Sequence, residues 1–251
     1  HVMSWNWNIE KIFMIKKTEK KFMKKFFYIA LLGLCVSASA NIDRDELNKL
    51  KVGALLVKDI TANKVLYEKE AFTQSKPASL TKVMTALIAI EQGSLERPIT
   101  ITREMTLVEP TIAGYKVGDV IRLKDLVTAA MVKSDNDAAM AIAIGIGGSE
   151  KNFVDMMNAK AKKLGMKNTN FTNPCGFDAG NHRSTARDLL VLTEYAIKNI
   201  TFNSIVKLDK YSFSALNTNK KYFFTTSNKL LKDDPYVVGV KTGYTNKAGA
   251  C

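Results

Sequence analysis

Apolar positions in the middle of the chain recur with the period of an α-helix. The clearest example is residues 79–92, where Val83, Leu87 and Ile90 fall at i, i+4 and i+7 and would form one apolar stripe. Gly93 follows at the position where many helices end. Similar patterns predict four further helices, over residues 123–132, 136–145, 150–164 and 185–199.

Runs of β-type residues flank this helical middle. Residues 54–57 and 65–67 predict two strands around a turn at Asn63. Ser149 and Ser184 precede two of the predicted helices, and we expect them to be the N-caps. Three more strands are expected toward the C-terminus, over residues 211–213, 222–225 and 236–244. Strands at both ends with helices between them predict an α+β fold, in which a helical region is inserted into a sheet.

The N-terminus has the pattern of a secretory signal peptide. Lys24 and Lys25 precede an apolar run over residues 26–36 that is short for a membrane span, and an A-x-A sequence ends at Ala40. We expect cleavage after Ala40, and an uncleaved anchor is the alternative. We expect Met23 to be the natural start of the chain. We therefore predict three segments: an upstream, non-native extension at residues 1–22, the signal peptide at residues 23–40, and one exported domain at residues 41–251.

The charge balance is basic, and the composition is otherwise ordinary for a globular protein. The net charge is +13, and +8 remains once residues 1–40, with seven lysines and two glutamates, are removed. A positive field suits an anionic partner such as a cell-wall polymer or lipid headgroups, and a solvated lysine-rich surface explains the charge equally well. The sequence has no arginine and aromatic platform for nucleic acid, so no nucleic-acid partner is expected.

Two cysteines, Cys175 and Cys251, remain in the chain after removal of the signal. In an oxidising compartment they could pair or stay as separate thiols, and the sequence leaves both open. Together with His182 they do not match a metal-ligand pattern. No metal and no cofactor is therefore expected.

A serine and a lysine, Ser79 and Lys82, lie at i and i+3 at the start of the predicted helix over residues 79–92. This spacing makes them neighbours on one helix face. The positive end of the helix dipole and burial would both disfavour the ammonium form and lower the pKa of the lysine. A neutral lysine beside a serine hydroxyl is a general base beside its nucleophile. Taken alone, a capping serine with a surface lysine is the commoner explanation.

Two further motifs carry candidate chemistry. Ser134-Asp135-Asn136 precedes a predicted helix, where all three residue types are also common caps. Lys241-Thr242-Gly243 ends an apolar strand, and Gly239 and Gly243 leave a bare strand edge that could accept an extended peptide. The alternative for this third motif is a strand that simply runs into a turn.

The three motifs occur in the order S-x-x-K, S-x-N and K-T-G, the set found in class A β-lactamases and penicillin-binding proteins. Over about residues 50–251 the chain resembles the low-molecular-mass D-alanyl-D-alanine carboxypeptidases, the family of penicillin-binding protein 5. The resemblance includes the stretches PASLTKVMTA, KVGDVIRLKDLVTAAMVKSDNDAA, MNAKAKKLGMKNTNFTNPCGFD, STARDL and GVKTGYTNKAGAC. It implies a β-lactamase/transpeptidase-like α+β fold with an antiparallel sheet, no cofactor, and a location in the periplasm or at the outer face of the bacterial cytoplasmic membrane.

The resemblance also implies a role for each motif residue. Ser79 would attack the D-Ala–D-Ala bond that ends a peptidoglycan stem pentapeptide, Lys82 would take its proton, and Ser134 would relay a proton to the leaving D-alanine. Water would then hydrolyse the acyl-enzyme, and penicillin would acylate the same serine. Asn136 would hold the substrate amide, and Lys241 would supply positive potential. Thr242 would bind the terminal carboxylate, with Gly243 at the adjoining strand edge. The N–H groups of Ser79 and Tyr244 would form the oxyanion hole.

The chain departs from the family pattern at three places. The middle residue of the second motif is usually glycine and is Asp135 here, as in class A β-lactamases. Thr226-Ser227-Asn228 replaces the usual Asn-x-Asn, and Cys175 replaces the more usual His, Ser or Thr of the Asn-Pro-x-Gly loop. The residues of the three motifs themselves are all present.

Alternative activities use the same motifs. A class A β-lactamase needs a glutamate between the second and third motifs, and none occurs from residue 151 to residue 193, so we expect slow deacylation of penicillins. A DD-endopeptidase would cleave cross-linked stems with the same residues, and a non-enzymatic sensor would be expected to lack a motif residue. The resemblance further implies two more strands, a helix and often an amphipathic membrane anchor beyond Cys251, so we expect a truncated and unstable chain.

Overall fold

The computed structural model describes residues 12–13, 44–92 and 94–251. Within them the strands are β1 Ile12–Phe13, β2 Leu55–Asp59, β3 Lys64–Lys69, β4 Pro98–Thr100, β5 Val120–Arg122, β6 Lys210–Ser214, β7 Lys221–Thr225, β8 Tyr244–Thr245 and β9 Gly249–Ala250. The α-helices are α1 Arg44–Lys49, α2 Lys82–Gln92, α3 Leu123–Val132, α4 Asn136–Gly147, α5 Glu150–Leu164, α6 Ala186–Ala196, α7 Ile200–Ile205 and α8 Lys229–Asp233. Short 3-10 turns cover Ala78–Thr81 and Glu104–Thr106.

The predicted α+β architecture is confirmed. β2 pairs antiparallel with β3 and parallel with β1, and antiparallel pairs are formed by β4 with β5, β6 with β7 and β8 with β9. The helices α2 to α7 lie between β3 and β6 in the chain, and the β4–β5 pair separates α2 from α3. The helical region is therefore inserted between β segments, as the pattern of the sequence indicates.

Helix α2 lies at the centre of the core. The sequence predicts one apolar face, but every residue of α2 from Lys82 to Ala89 is buried, because α3, α4, α5, α6 and α7 all contact it. The buried Thr85 hydroxyl donates to the carbonyl oxygen of Pro174 at 2.8 Å. Alanine-rich α4, buried from Ala138 to Ala143, packs against α2 and α3. The helix that follows the Ser–Lys pair thus has little freedom to move.

The helix caps agree with the sequence in one case and differ in the other. Ser149 caps α5 by accepting from the Asn152 N–H at 3.2 Å, as predicted. The prediction for Ser184 is wrong, because Thr185 caps α6 by accepting from the Asp188 N–H at 3.0 Å. The Ser184 backbone is instead bridged to Ser75, which holds Ser184 outside the helix. The helix predicted over residues 185–199 is α6, which ends at Ala196, and the separate helix α7 that begins at Ile200 was not predicted.

The strand predicted over residues 236–244 is also wrong, except at its last residue. Only Tyr244–Thr245 forms a strand there, as β8. The Val237 N–H donates to Asp234 in a turn, and Gly243 pairs with Cys251. No neighbouring strand in residues 44–92 or 94–251 supplies a ladder for residues 238–242, and a strand needs such a neighbour for its backbone hydrogen bonds.

Several predictions concern residues outside those that the structure describes. These are the signal peptide over residues 23–40, most of the extension over residues 1–22, and Gly93 as a helix end. Within the extension, for which the sequence predicts no structure, Ile12–Phe13 forms β1. Among the described residues, no helix has the length and apolar character needed to cross a membrane.

Candidate active site

Ser79 lies in the 3-10 turn that leads into α2, where the backbone is closely packed. A Cβ atom on Gly176, whose φ is +98°, would lie 1.8 Å from the Ala78 carbonyl oxygen. A Cβ atom on Gly243 would lie 2.9 Å from the Ser79 nitrogen. Two glycines from distant parts of the chain therefore contact the peptide bond between Ala78 and Ser79, and larger residues do not fit at either position.

Lys82 is fully buried and donates three hydrogen bonds. Its Nζ lies 3.0 Å from Ser79 Oγ, 2.7 Å from Asn136 Oδ1 and 2.7 Å from the carbonyl oxygen of Cys175. An ammonium group has three N–H donors, so each has an acceptor. A surface position for this lysine is thus excluded, and fully buried Lys82 lies within hydrogen-bonding distance of Ser79.

Burial lowers the pKa of Lys82 to about 8, whereas Cys175 and Asp135 act in the opposite direction. About one molecule in ten then carries the neutral amine at pH 7. A neutral amine within hydrogen-bonding distance of Ser79 Oγ can accept the proton of this hydroxyl. The lowered pKa agrees with the expectation from burial at the helix start.

The second motif joins α3 to α4. Ser134 has a φ of +71°, and Asn136 begins α4 with its side chain directed to Lys82. Asn136 Nδ2 also donates to the carbonyl oxygen of Pro110, and its backbone N–H donates to that of Thr111 at 2.8 Å. Asp135 occupies the N-cap of α4 but makes no capping hydrogen bond. Capping therefore does not explain this motif.

Asp135 is fully buried, and neither of its carboxylate oxygens has a hydrogen-bond partner. Burial raises its pKa to about 7, and Asp137 raises it further. Lys133, Lys82 and Lys241 act in the opposite direction. Asp137, two residues later, differs because its carboxylate accepts from the N–H groups of residues 113, 114, 115 and 138.

The loop over residues 173–178 supplies the third acceptor for Lys82. Asn173 Oδ1 accepts from the N–H groups of Cys175, Gly176 and Phe177 at 3.1, 2.7 and 3.0 Å. This turn directs the Cys175 carbonyl toward Lys82. The Cys175 thiol contacts the Asn136 carbonyl oxygen at 3.5 Å, and burial raises its pKa to about 12. Neither Cys175 nor Cys251 is in a disulfide.

A buried histidine supports the turn from the other side. The Thr172 N–H donates to His182 Nδ1 at 3.0 Å, so the ring proton is on Nε2, which donates to Thr81 Oγ1 at 2.8 Å. Burial lowers the pKa of His182 to about 4, and the ring is neutral at pH 7. Sequence reasoning missed this role, since nothing in the local pattern links His182 to Thr81.

The third motif is held by fewer contacts than the other two. Lys241 Nζ donates to the carbonyl oxygen of Thr242 at 2.7 Å, and Thr242 Oγ1 lies 3.5 Å from Ser227 Oγ. Burial lowers the pKa of Lys241 well below its usual value, and Lys82 lowers it further. Among the hydrogen bonds of the described residues, none joins Ser134 Oγ to this network. The structure thus brings Ser79, Lys82 and Asn136 into one hydrogen-bonded cluster, with Gly243 alongside.

The hairpin β8–β9 orients the Tyr244 N–H. Gly243 and Cys251 exchange both backbone hydrogen bonds, so Tyr244 and Ala250 form the neighbouring non-hydrogen-bonded pair. The Tyr244 N–H therefore points away from β9. Strand β8 contacts the turn over Ala78–Thr81, which contains Ser79.

Among the described residues, no cluster of three metal-ligating side chains is found.

A Ser–Lys pair at the start of a central helix, within an α+β fold, defines a β-lactamase/transpeptidase-like protein. The comparison with known families is more specific. Residues 39–251 match the D-alanyl-D-alanine carboxypeptidase family, and the chain belongs to this family.

The chain is similar to several characterised proteins. It is 35% identical over 237 residues to D-alanyl-D-alanine carboxypeptidase DacF of Bacillus subtilis, covering 89% of this chain and 59% of the relative. It is 33% identical to a D-alanyl-D-alanine endopeptidase of Escherichia coli, covering 79% of this chain and 65% of the relative. The chain thus spans about three fifths of the length of these curated relatives.

The fold is also found in solved structures. A D-alanyl-D-alanine carboxypeptidase of Mycobacterium tuberculosis matches with a TM-score of 0.73 and 32% identity, covering 78% of this chain and 74% of that chain. The β-lactamase/transpeptidase-like fold expected from the resemblance is thereby confirmed.

Proposed function

We propose that the protein is a serine D-alanyl-D-alanine carboxypeptidase. It removes the terminal D-alanine from peptidoglycan stem pentapeptides, and penicillins acylate the same serine. The observation that carries this proposal is the fully buried Lys82, which has a lowered pKa and lies 3.0 Å from Ser79 Oγ. Membership in the D-alanyl-D-alanine carboxypeptidase family supports the choice of substrate.

The proposed reaction proceeds through an acyl-enzyme. Neutral Lys82 accepts the Ser79 proton while Ser79 Oγ bonds to the carbonyl carbon of the penultimate D-alanine. The C–N bond to the terminal D-alanine then breaks, and its nitrogen receives a proton through Ser134. Water, deprotonated by the same base, attacks the ester, releases the shortened peptide and returns the proton to Ser79.

Binding of the substrate is assigned to the remaining motif residues. Asn136 Nδ2 has a second N–H besides the one directed at Pro110, and this N–H holds the substrate amide. Lys241 and Thr242 bind the terminal carboxylate, and Gly243 leaves room for the peptide beside the turn. The N–H groups of Ser79 and Tyr244 stabilise the oxyanion, a contribution of about 3 kcal/mol per donor.

A DD-endopeptidase is the second candidate. It is favoured by the 33% identity to a protein named D-alanyl-D-alanine endopeptidase. A β-lactamase is less well supported, because no glutamate occurs between residues 151 and 193 to assist deacylation. Incubation with muropeptides separates the first two, since a carboxypeptidase releases D-alanine from monomers and an endopeptidase converts dimers to monomers.

We also propose export of the protein. Residues 23–40 are the signal peptide, cleaved after Ala40, and residues 41–251 act on the wall in the periplasm or at the outer face of the cytoplasmic membrane. The pattern of basic, apolar and small residues before Asn41 supports this. Mass spectrometry of the secreted product tests it, and a mature N-terminus elsewhere than Asn41 would contradict it.

The decisive experiment for the reaction is Ser79→Ala. The 251-residue chain should form a covalent adduct with a fluorescent penicillin, and the variant should form none while keeping its circular dichroism spectrum. Ser204→Ala, at an exposed serine of α7, is the matched control and should label normally. Absence of labelling in the unaltered chain, or labelling that persists in Ser79→Ala, would contradict the proposal.

A further inference from the structure

Asp135 is a buried acid with no evident structural use. Neither of its oxygens has a hydrogen-bond partner among the described residues. Its backbone angles, φ −65° and ψ 129°, are ordinary extended values that do not call for aspartate. The other buried acid of this helix start, Asp137, holds four backbone N–H groups. The fold therefore uses Asp137 and gains no such bond from Asp135.

A carboxylate without hydrogen bonds is costly to bury. Such groups concentrate at functional sites, where their charge acts on neighbouring groups. Asp135 lies between the two motif residues Ser134 and Asn136, and Asn136 contacts Lys82 directly at 2.7 Å. Asp135 is therefore a buried acid next in sequence to a residue that contacts Lys82, and its charge acts on Lys82.

Several titratable or charged groups interact with Asp135, from its own helix, from the preceding segment and from three other parts of the chain. They are Asp137, Lys133, Lys82, Lys241 and Tyr115. Two of them are the lysines of the candidate site. Lys82 lowers the pKa of Lys241, whereas Asp135 raises the pKa of both. Asp135 thus carries a charge opposite to that of fully buried Lys82 and half-buried Lys241, which repel each other when both are protonated.

We propose that Asp135 is a positioning residue that sets the pH range in which Lys82 acts as the base, through its unpartnered carboxylate beside Lys82 and Lys241. This inference rests on the proposed Ser–Lys chemistry. When Asp135 is ionised it favours the charged form of Lys241, which suits binding of a carboxylate, and it delays deprotonation of Lys82. The two groups lose their protons as a coupled pair, so the pH profile belongs to both.

The first test is the pH dependence of acylation in Asp135→Asn, measured with the 251-residue chain and a fluorescent penicillin. Without the carboxylate, Lys82 loses its proton at lower pH, so the midpoint of the rising limb should move toward acid by about one unit. Asp155→Asn, at an exposed acid paired with Lys151, should leave the midpoint unchanged. An unchanged midpoint in Asp135→Asn, or a shift toward alkali, would overturn the proposal.

A second variant separates charge from shape. Asp135→Gly removes the same carboxylate and introduces the residue usual at this position in the family that the sequence resembles. Both variants should show the same acid shift. A shift in only one of them would mean that side-chain shape, and not charge, controls Lys82. The glycine variant also provides the measurement if the asparagine variant does not fold.

The third measurement does not depend on catalysis. The pKa of Asp135 is raised in the folded state to about 7, so the native protein binds more protons than the unfolded chain between about pH 4 and pH 7. Its ionisation therefore lowers stability as the pH rises. The urea midpoint of Asp135→Asn should exceed that of the unaltered chain by an amount that is near zero below about pH 4 and grows until about pH 7.

The outcomes distinguish the two proposals. In one outcome, the unaltered chain does not react with penicillin, but the difference in urea midpoint between it and Asp135→Asn changes with pH as described. The proposed function is then contradicted, whereas the titration of the buried Asp135 carboxylate is confirmed. If acylation occurs and the stability difference is the same at every pH, Asp135 does not titrate in this range and the proposal for Asp135 is wrong.

Discussion

The Ser–Lys cluster and the Lys241 segment differ in how firmly they are held. Lys82 is fully buried and donates to groups from the turn before α2, from α4 and from the loop over residues 173–178. Lys241 is half-buried and donates to the carbonyl of its own neighbour, Thr242. The groups proposed for proton transfer are thus fixed by three elements, and those proposed for carboxylate binding lie in a segment outside regular structure.

This difference follows from the two kinds of backbone structure. A helix satisfies its own hydrogen bonds, so the first turn of α2 is positioned once the helix packs. A segment in extended conformation depends on neighbouring strands for its hydrogen bonds. We therefore expect substitutions around Lys82 to have larger effects than those around Thr242 or in the β8–β9 hairpin.

The largest effect is expected for Lys82→Met. Methionine fills a similar volume but cannot accept the Ser79 proton, so acylation by penicillin should slow by about a thousandfold. The rate constant of acylation measures this. Lys160→Met, at a lysine of α5 paired with Glu91, should stay near the rate of the unaltered chain. A loss of less than tenfold in Lys82→Met would show that another group serves as the base.

Gly176→Ala is expected to have the second-largest effect on the acylation rate. The new Cβ would lie 1.8 Å from the Ala78 carbonyl oxygen, so the turn that carries Ser79 must move. A displacement of about 1 Å can lower a rate about a hundredfold, and the acylation rate should fall by that order. Gly180→Ala is the matched control because Gly180 also has a positive φ, +46°, but an open environment. Equal losses in both variants would assign the effect to backbone strain alone.

Thr242→Val should have a smaller effect. It removes a hydroxyl that we assign to the terminal carboxylate, and a hydrogen bond to a charged group is worth about 1.5 kcal/mol or more, close to tenfold in kcat/KM. Release of D-alanine from a peptide ending in D-Ala–D-Ala measures this loss. A peptide with a C-terminal carboxamide is the control, and an equal loss on it would contradict the assignment.

The smallest effect is expected for Asp178→Ala. Asp178 accepts from Thr245 Oγ1 at 2.9 Å and from the Lys247 N–H at 3.4 Å, and so links the 173–178 loop to β8. Loss of this half-buried link, which consists of two hydrogen bonds, costs about 1 kcal/mol, roughly fivefold in acylation rate. Thr245→Val should have a similar effect, and the double variant should lose little more. Fully additive losses would show that the two side chains act separately.

The sequence could predict the Ser–Lys pair because i and i+3 positions on a helix are neighbours whatever surrounds them. The start of α4 at Asn136 could be predicted as well, because it also depends on the local sequence. The sequence could not predict that the Cys175 carbonyl reaches Lys82, because this is a backbone group in an irregular loop. The one available signal was Asn173, since asparagine side chains often accept backbone N–H groups in turns.

The wrong predictions of secondary structure and helix caps have a common physical origin. The apolar pattern over residues 236–244 indicates a preference for extended backbone, but only a partner strand makes a ladder, and the sequence does not say which strand lies alongside. Ser184 and Thr185 are both good caps, and the bridge between Ser184 and Ser75 decides between them. The missed α7 begins after Asn199, which caps it by accepting from Phe202 at 3.1 Å.

The contacts of Gly176 and Gly243 with the Ala78–Ser79 peptide also have a consequence for the order of folding. Both glycines lie far from Ser79 along the chain, and contacts between distant residues form late. With these two contacts open, the serine and the lysine would still share one helical turn, but the peptide between Ala78 and Ser79 would lose the two neighbours that shape it. Nucleophilic reactivity of Ser79 therefore depends on long-range docking as well as on the local turn.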